Sequence, residues 1–190
     1  HFNITRTPFY YYDKTLLSNT LAKLIRLAGE RNYHVHYAVK ANANPEILKL
    51  IAASGIGADC VSGGEIKAAL EAGFPAKKIV FAGVGKADWE IEYALEKKIF
   101  CFNVESAEEL SVIEELAKKK ENIASIALRI NPNIDAHTHE YITTGLSENK
   151  FGIPIEMLDS IFSQIQRSPH VQLVGFHFHI GSQILNLETF

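Results

Sequence analysis

The chain predicts an α/β fold, a parallel barrel of the eight strand-helix kind, of which about six units fall within its 190 residues. Three observations predict it. Strand-like apolar segments alternate with helical ones along the whole length, which implies crossover connections and a parallel sheet. Lys40, Asp59, Arg129 and His179 stand near the C-terminal ends of four different predicted strands. A barrel gathers those ends at one mouth, whereas an open doubly wound sheet would spread them too widely. The chain is also 47% hydrophobic and 22% charged, which suits one sizeable core and excludes disordered, collagen-like and membrane classes.

The elements follow in order. Leu17, Leu21, Leu24 and Ala28 recur at helical spacing behind Asp13, a suitable N-cap, so a helix opens the chain. A strand is expected at about 34–40, then a helix opened by Asn44 and Pro45, then a strand over 57–62 running directly into another helix. Further strands are expected near 78–84, 99–105, 123–130 and 171–180, with helical segments between them. Ser106 and Glu109 have capping-box spacing, and Pro154 suits the first turn of a later helix. The connection over 131–153 is polar, rich in His, Thr and Gly, and long for a loop, which is a common property of functional loops. A new helical pattern begins at Asn186, Leu187 and Glu188, just before Phe190. The reading therefore takes residues 1–190 as the N-terminal part of one barrel domain and expects the polypeptide to continue.

A formal net charge of -3 with interspersed signs offers no basic stripe for nucleic acid, and no apolar run approaches the roughly 20 residues that span a bilayer. His1 to Thr7 lack the apolar core of a signal peptide, so the cytoplasm is the expected location. Cys60 and Cys101 lie on different predicted strands without CxxC spacing, and read as buried thiols rather than a disulfide or zinc site.

Four segments carry candidate chemistry. In Tyr37-Ala38-Val39-Lys40-Ala41-Asn42, a lysine ends an apolar strand. An amine must be neutral to attack a carbonyl, and a mouth that excludes water favours the neutral form, so a Schiff-base lysine fits. Taken alone, a strand-end lysine is more often one that reaches solvent. In Phe176-His177-Phe178-His179-Ile180-Gly181-Ser182-Gln183, two histidines share one strand face and a Gly-Ser turn follows. Backbone N–H groups at Gly181 and the Ser182 hydroxyl suit a phosphate, and an imidazole there suits the face of an aromatic ring. The same pair also reads as core histidines or as two metal ligands. Asp59 interrupts a short buried strand and Arg129 ends another, and either suits a structural ion pair as well as an active site.

Together and in this order the segments resemble the pyridoxal-phosphate-dependent amino-acid decarboxylases with an alanine-racemase-like barrel. The resemblance runs from Thr7-Pro8-Phe9-Tyr10 through Phe81-Ala82-Gly83-Val84-Gly85-Lys86 and Asn103-Val104-Glu105-Ser106 to the histidine motif. Arg129-Ile130-Asn131-Pro132-Asn133, Thr144-Gly145 and Asn149-Lys150-Phe151-Gly152 look more like the branch acting on diaminopimelate than the ornithine or arginine branches. By that resemblance, Lys40 would link covalently to pyridoxal 5'-phosphate and His179 would stack on its ring. Gly181 and Ser182 would help hold the phosphate, with Asp59 and Arg129 close to the cofactor. The resemblance also implies decarboxylation of meso-diaminopimelate to L-lysine and a small-molecule amino-acid substrate. It further implies a homodimer with shared active sites and a β-rich C-terminal domain beyond Phe190. The glycine-rich phosphate loop, the acid facing the pyridine nitrogen and the general acid are expected from that later part. Decarboxylases of a basic amino acid or of carboxynorspermidine are the nearest alternatives, followed by a non-catalytic cofactor-binding barrel. A metal-dependent barrel hydrolase would use His34-Val35-His36 with His177 and His179. His34 lies roughly 20 Å down the strand from Lys40, towards the other end of the barrel. His137 and His139 fall in the long loop and read as solvated.

Overall fold

A computed structural model describes residues 6–131 and 151–181. Helix α1 (Lys14–Gly29) precedes β1 (His36–Ala38), α2 (Pro45–Ala53), β2 (Gly57–Cys60), α3 (Gly63–Ala72) and β3 (Ile79–Phe81). There follow α4 (Asp88–Lys97), β4 (Cys101–Val104), α5 (Ala107–Lys119), β5 (Ala124–Asn131), the two-residue β6 (Ile153–Pro154), α6 (Leu158–Arg167) and β7 (Val171–His177). Among the described residues the seven strands form one sheet and every pairing is parallel. The order runs β1 to β5 in sequence, and β5 then pairs with both β6 and β7.

Local chemistry explains the helix starts. Asp13 accepts from Leu16 N at 2.9 Å, and Asn44 accepts from Glu46 N and Ile47 N with Pro45 in the first turn. Ser62 and Ser106 cap α3 and α5 through the N–H groups of Glu65 and Glu109. Each cap satisfies N–H groups that a helix leaves without internal partners. Strand residues alternate between two environments. The outward rank, including Ala58, Ile79, Phe81, Phe102, Ile126 and Leu128, packs against Ile51, Ile66, Ile91, Leu110 and Ile113 of the helices. That layer is the core, and each such aliphatic or aromatic side chain contributes about 1.5–3 kcal/mol by leaving water.

Several elements depart from the expectation, among them the last strand, which closes at His177 and leaves His179 beyond it. The first strand ends at Ala38, and Lys40 sits in a 3₁₀ turn over Val39–Ala41. Asn42 turns the chain there: its N–H donates to Val39 O, its carbonyl accepts from Tyr37 OH, and its side chain bonds Asn44 N and Tyr12 OH. Pro154 lies in β6, paired with Asn131, and not in the first turn of a helix. A 3₁₀ turn over Ile155–Met157 separates it from α6, and extended backbone suits a proline that has no N–H to donate. Pro132 to Lys150, Ser182, and the helical pattern at Asn186 to Glu188 lie outside the described residues.

Candidate functional site

Because every strand is parallel, all their C-terminal ends lie at one end of the sheet. Asp59 is the third residue of β2 and Arg129 stands near the end of β5. Lys40 and His179 fall two residues beyond the ends of β1 and β7, on the chain that leaves those strands. Gly181 follows at the last described position of that segment. Lys40 and His179 are both exposed, and among the described residues no hydrogen bond or ion pair engages either side chain. Lys40 is near enough to Asp59 for its charge to pull on the carboxyl, but burial wins and pushes the Asp59 carboxyl up, with Glu65 adding to the rise. Asp59 Oδ1 is buried without a partner among the described residues.

Arg129 is held firmly. Its Nη1 donates to both carboxylate oxygens of Glu105 at 2.8 and 2.9 Å, and its guanidinium lies 5.7 Å from the Phe151 ring centroid. Gly152, at φ +88°, brings its backbone against Arg129 O, where an added Cβ would come within 3.0 Å. Glu105 directly follows β4, and its own N–H donates to Glu109 Oε2 at 2.7 Å. The capping box is therefore half of what the spacing promised: Ser106 caps the helix, while the Glu109 carboxylate serves Glu105 N and Lys86 Nζ. Burial raises the Glu109 carboxyl, opposed by Lys86 and by the Glu105 N–H.

The inward rank of the sheet lines a lumen of about 400 Å³ that includes His36, Asp59, Cys101, Asn103 and His177. His177 pairs in register with Arg129, so the two share a face. Its Nδ1 is buried without a described partner, and burial lowers its pKa, reinforced by Arg129, His179 and Lys86 and opposed by Glu105. Cys60 and Cys101 are buried free thiols pushed up to about 12 and about 11, first by burial. Glu105, Glu109 and Lys86 were not among the expected site residues. The signal for Glu105 was an acid at the end of an uninterrupted buried strand, the same signal that marked Arg129.

The described donor set offers an accessible amine, a half-buried carboxyl with one unpartnered oxygen, an accessible imidazole and a fixed guanidinium, all at one end of the sheet. That set fits a cofactor with a carbonyl, an aromatic ring and anionic groups: an imine can form only at an amine with room to react, and Asp59 Oδ1 has an open hydrogen-bonding valence. Among the described residues no group of three or more His, Cys, Asp and Glu is arranged to hold a metal ion. His34 precedes β1 and His36 begins it, at the opposite end from Lys40. No helix among the described residues is long and apolar enough to cross a membrane.

Comparison with known proteins agrees with this geometry. The family of pyridoxal-dependent decarboxylases, through its pyridoxal binding domain, matches residues 18–190, and the chain belongs to that family, whose cofactor is pyridoxal phosphate. Within it, the chain is 58% identical over 190 residues to diaminopimelate decarboxylase of Bacteroides thetaiotaomicron, covering 100% of this chain and 49% of that protein. Crystallised diaminopimelate decarboxylase from Helicobacter pylori, complexed with L-lysine, gives a TM-score of 0.86 at 46% identity over 99% of this chain and 48% of its own. The enzyme from M. jannaschii in co-complex with L-lysine gives 0.85 at 39% identity over 96% of this chain and 44% of its own. The chain spans about half the length of the curated relatives it matches.

Proposed function

We propose that the protein carrying this chain decarboxylates meso-diaminopimelate to L-lysine and carbon dioxide, with pyridoxal phosphate seated at the C-terminal ends of the strands. The observation that carries the reading is the accessible, unengaged Lys40 amine at the same end of the sheet as Asp59, whose Oδ1 has no partner among the described residues, in a chain so similar to diaminopimelate decarboxylases. Lys40 is assigned as the point of covalent attachment, and His179 as the flat contact on the ring. Gly181 and Ser182 are assigned to the phosphate. Asp59 and Arg129 set the charge around the cofactor. Bound there, the cofactor supplies an electron sink for the pair left when carbon dioxide departs. The chain's part is to orient and to hold charge: Glu105 fixes Arg129 by two short contacts, and Phe151 covers the guanidinium face. Residues 1–190 are assigned to the N-terminal part of the barrel. The remaining strands, a β-rich C-terminal domain, a homodimer with shared sites and a cytoplasmic location complete the proposal.

The test is made on the full-length protein. Borohydride reduction followed by peptide mapping should place reduced pyridoxal phosphate on Lys40, and Lys40→Ala should abolish it. Carbon dioxide should be released from meso-diaminopimelate far faster than from ornithine or arginine. Label on another lysine would remove the Lys40 assignment, and equal turnover of ornithine would remove the substrate assignment.

A further inference from the structure

Lys86 is the most deeply buried cation described, its side chain 1% exposed. It leaves the β3–α4 connection and points inward. Nζ donates to Gly83 O at 2.7 Å, to Asn103 O at 2.8 Å and to Glu109 Oε1, so all three ammonium protons are used. The ammonium also stands 5.4 Å from the Phe81 ring centroid. It is therefore not a reactive amine. Burying such an ion is costly, and replacing a buried ion pair by apolar residues of similar size is often neutral or stabilising. What the ion pair adds is direction.

Its second arm leads to the site. Glu109 accepts from Lys86 with one oxygen and from Glu105 N with the other, which fixes the backbone of the residue whose carboxylate grips Arg129. Lys86, Glu109, Glu105 and Arg129 thus form one continuous polar chain from the β3–α4 connection across β4 and α5 to β5. Arg129 in turn shares its register and face with His177. A planar guanidinium is useful to an anionic cofactor only in one orientation, and a grip of two short bonds transmits any displacement of Glu105 directly.

We infer that Lys86 is a positioning residue for the cofactor mouth, holding Arg129 in place through Glu109 and Glu105. The inference rests on the proposed role of Arg129 beside pyridoxal phosphate. Its test is the affinity of the full-length apoprotein for pyridoxal phosphate, titrated by absorbance in four forms: unaltered, Lys86→Met, Arg129→Met and both together. Contacts in series are not additive. Lys86→Met should weaken cofactor binding about tenfold in the unaltered background and less than about twofold where Arg129 is already gone, the scale expected of directly coupled neighbours. Should Lys86→Met not fold, Lys86→Met with Glu109→Leu removes both buried charges together and puts the same question. Additive losses, or an unchanged affinity on loss of Lys86, overturn the inference while leaving the proposed function intact. If Arg129→Met binds the cofactor normally, the role of Arg129 falls first and this inference falls with it.

Discussion

Replacing Glu105 by Gln probes the central contact of the site with a change of one atom and one charge. Arg129 would keep one acceptor but lose its counter-ion in a setting where the two side chains are only 12% and 6% exposed. Removing one partner of a fully buried pair costs about 3–5 kcal/mol, because the remaining charge stays desolvated. Two features reduce the figure here. Arg129 retains some access to water, and the Phe151 ring offsets about 0.5–1 kcal/mol through its π face. The expected loss is therefore about 2–3 kcal/mol. With a urea dependence of about 2–3 kcal/mol per molar for a domain of this size, the unfolding midpoint should fall by about 1 M. Equilibrium urea unfolding of the apoprotein, followed by far-ultraviolet circular dichroism, measures it. Adding Arg129→Met should recover most of the loss, since the stranded charge is then gone. A midpoint unmoved by Glu105→Gln, or a double variant less stable than the single one, would refute the description of the contact as a desolvated pair.

Three further outcomes are expected. His179→Ala should leave cofactor attachment to Lys40 intact but weaken retention about three- to tenfold, the worth of one ring contact, and slow decarboxylation; unchanged kinetics would reduce His179 to a surface residue. His177, held below the ordinary value of 6.5, makes folding pH-dependent. As pH falls through 6.5 the unfolded chain takes up the proton before the folded one does, so stability drops until the folded pKa is passed. His177→Leu should flatten that fall between pH 7.5 and 5.5, and an identical slope would contradict it. Cys60 and Cys101, pushed up to about 12 and about 11, should resist a thiol reagent at pH 8 in the native protein and react promptly in urea; rapid native labelling would show that the strands open.

The alternation of strands and helices was legible because helix starts carry local chemistry: Asp13, Asn44, Ser62 and Ser106 all cap as their residue types suggest. The ends of strands carried no such mark. Lys40 reads as the last residue of an apolar run, yet the run closes at Ala38, because the bonds of Asn42 to Tyr12, Tyr37 and Val39 are set by contacts distant in sequence or specific to the turn. Pro154 carried the opposite ambiguity, since fixed φ suits both a helix start and extended chain, and pairing with Asn131 decided it. Asp59 and Arg129 stood out as charges on apolar strands. Their partners did not: nothing in Glu105-Ser106-Ala107-Glu108-Glu109 shows that Glu105 takes Arg129 and that Glu109 takes Lys86, because that division depends on where the chain after β3 delivers Lys86.

The sheet order bears on how the molecule is made. His36 lies beside Gly57, Ala58 beside Ile79, Val80 beside Cys101, and Phe102 beside Ile126. Each of these strands meets the one synthesised just before it. Such a sheet can grow on the ribosome one rung at a time, with small loop-closure penalties and no need to wait for distant sequence. The pairing of Arg129 with His177 is different, since it spans the long connection and is the latest among the described residues. A nascent chain thus presents Lys40, in the turn just beyond β1, before His177 and His179 have been made. The Arg129–His177 pairing, and with it the inward face that both side chains share, forms only after β7 has emerged.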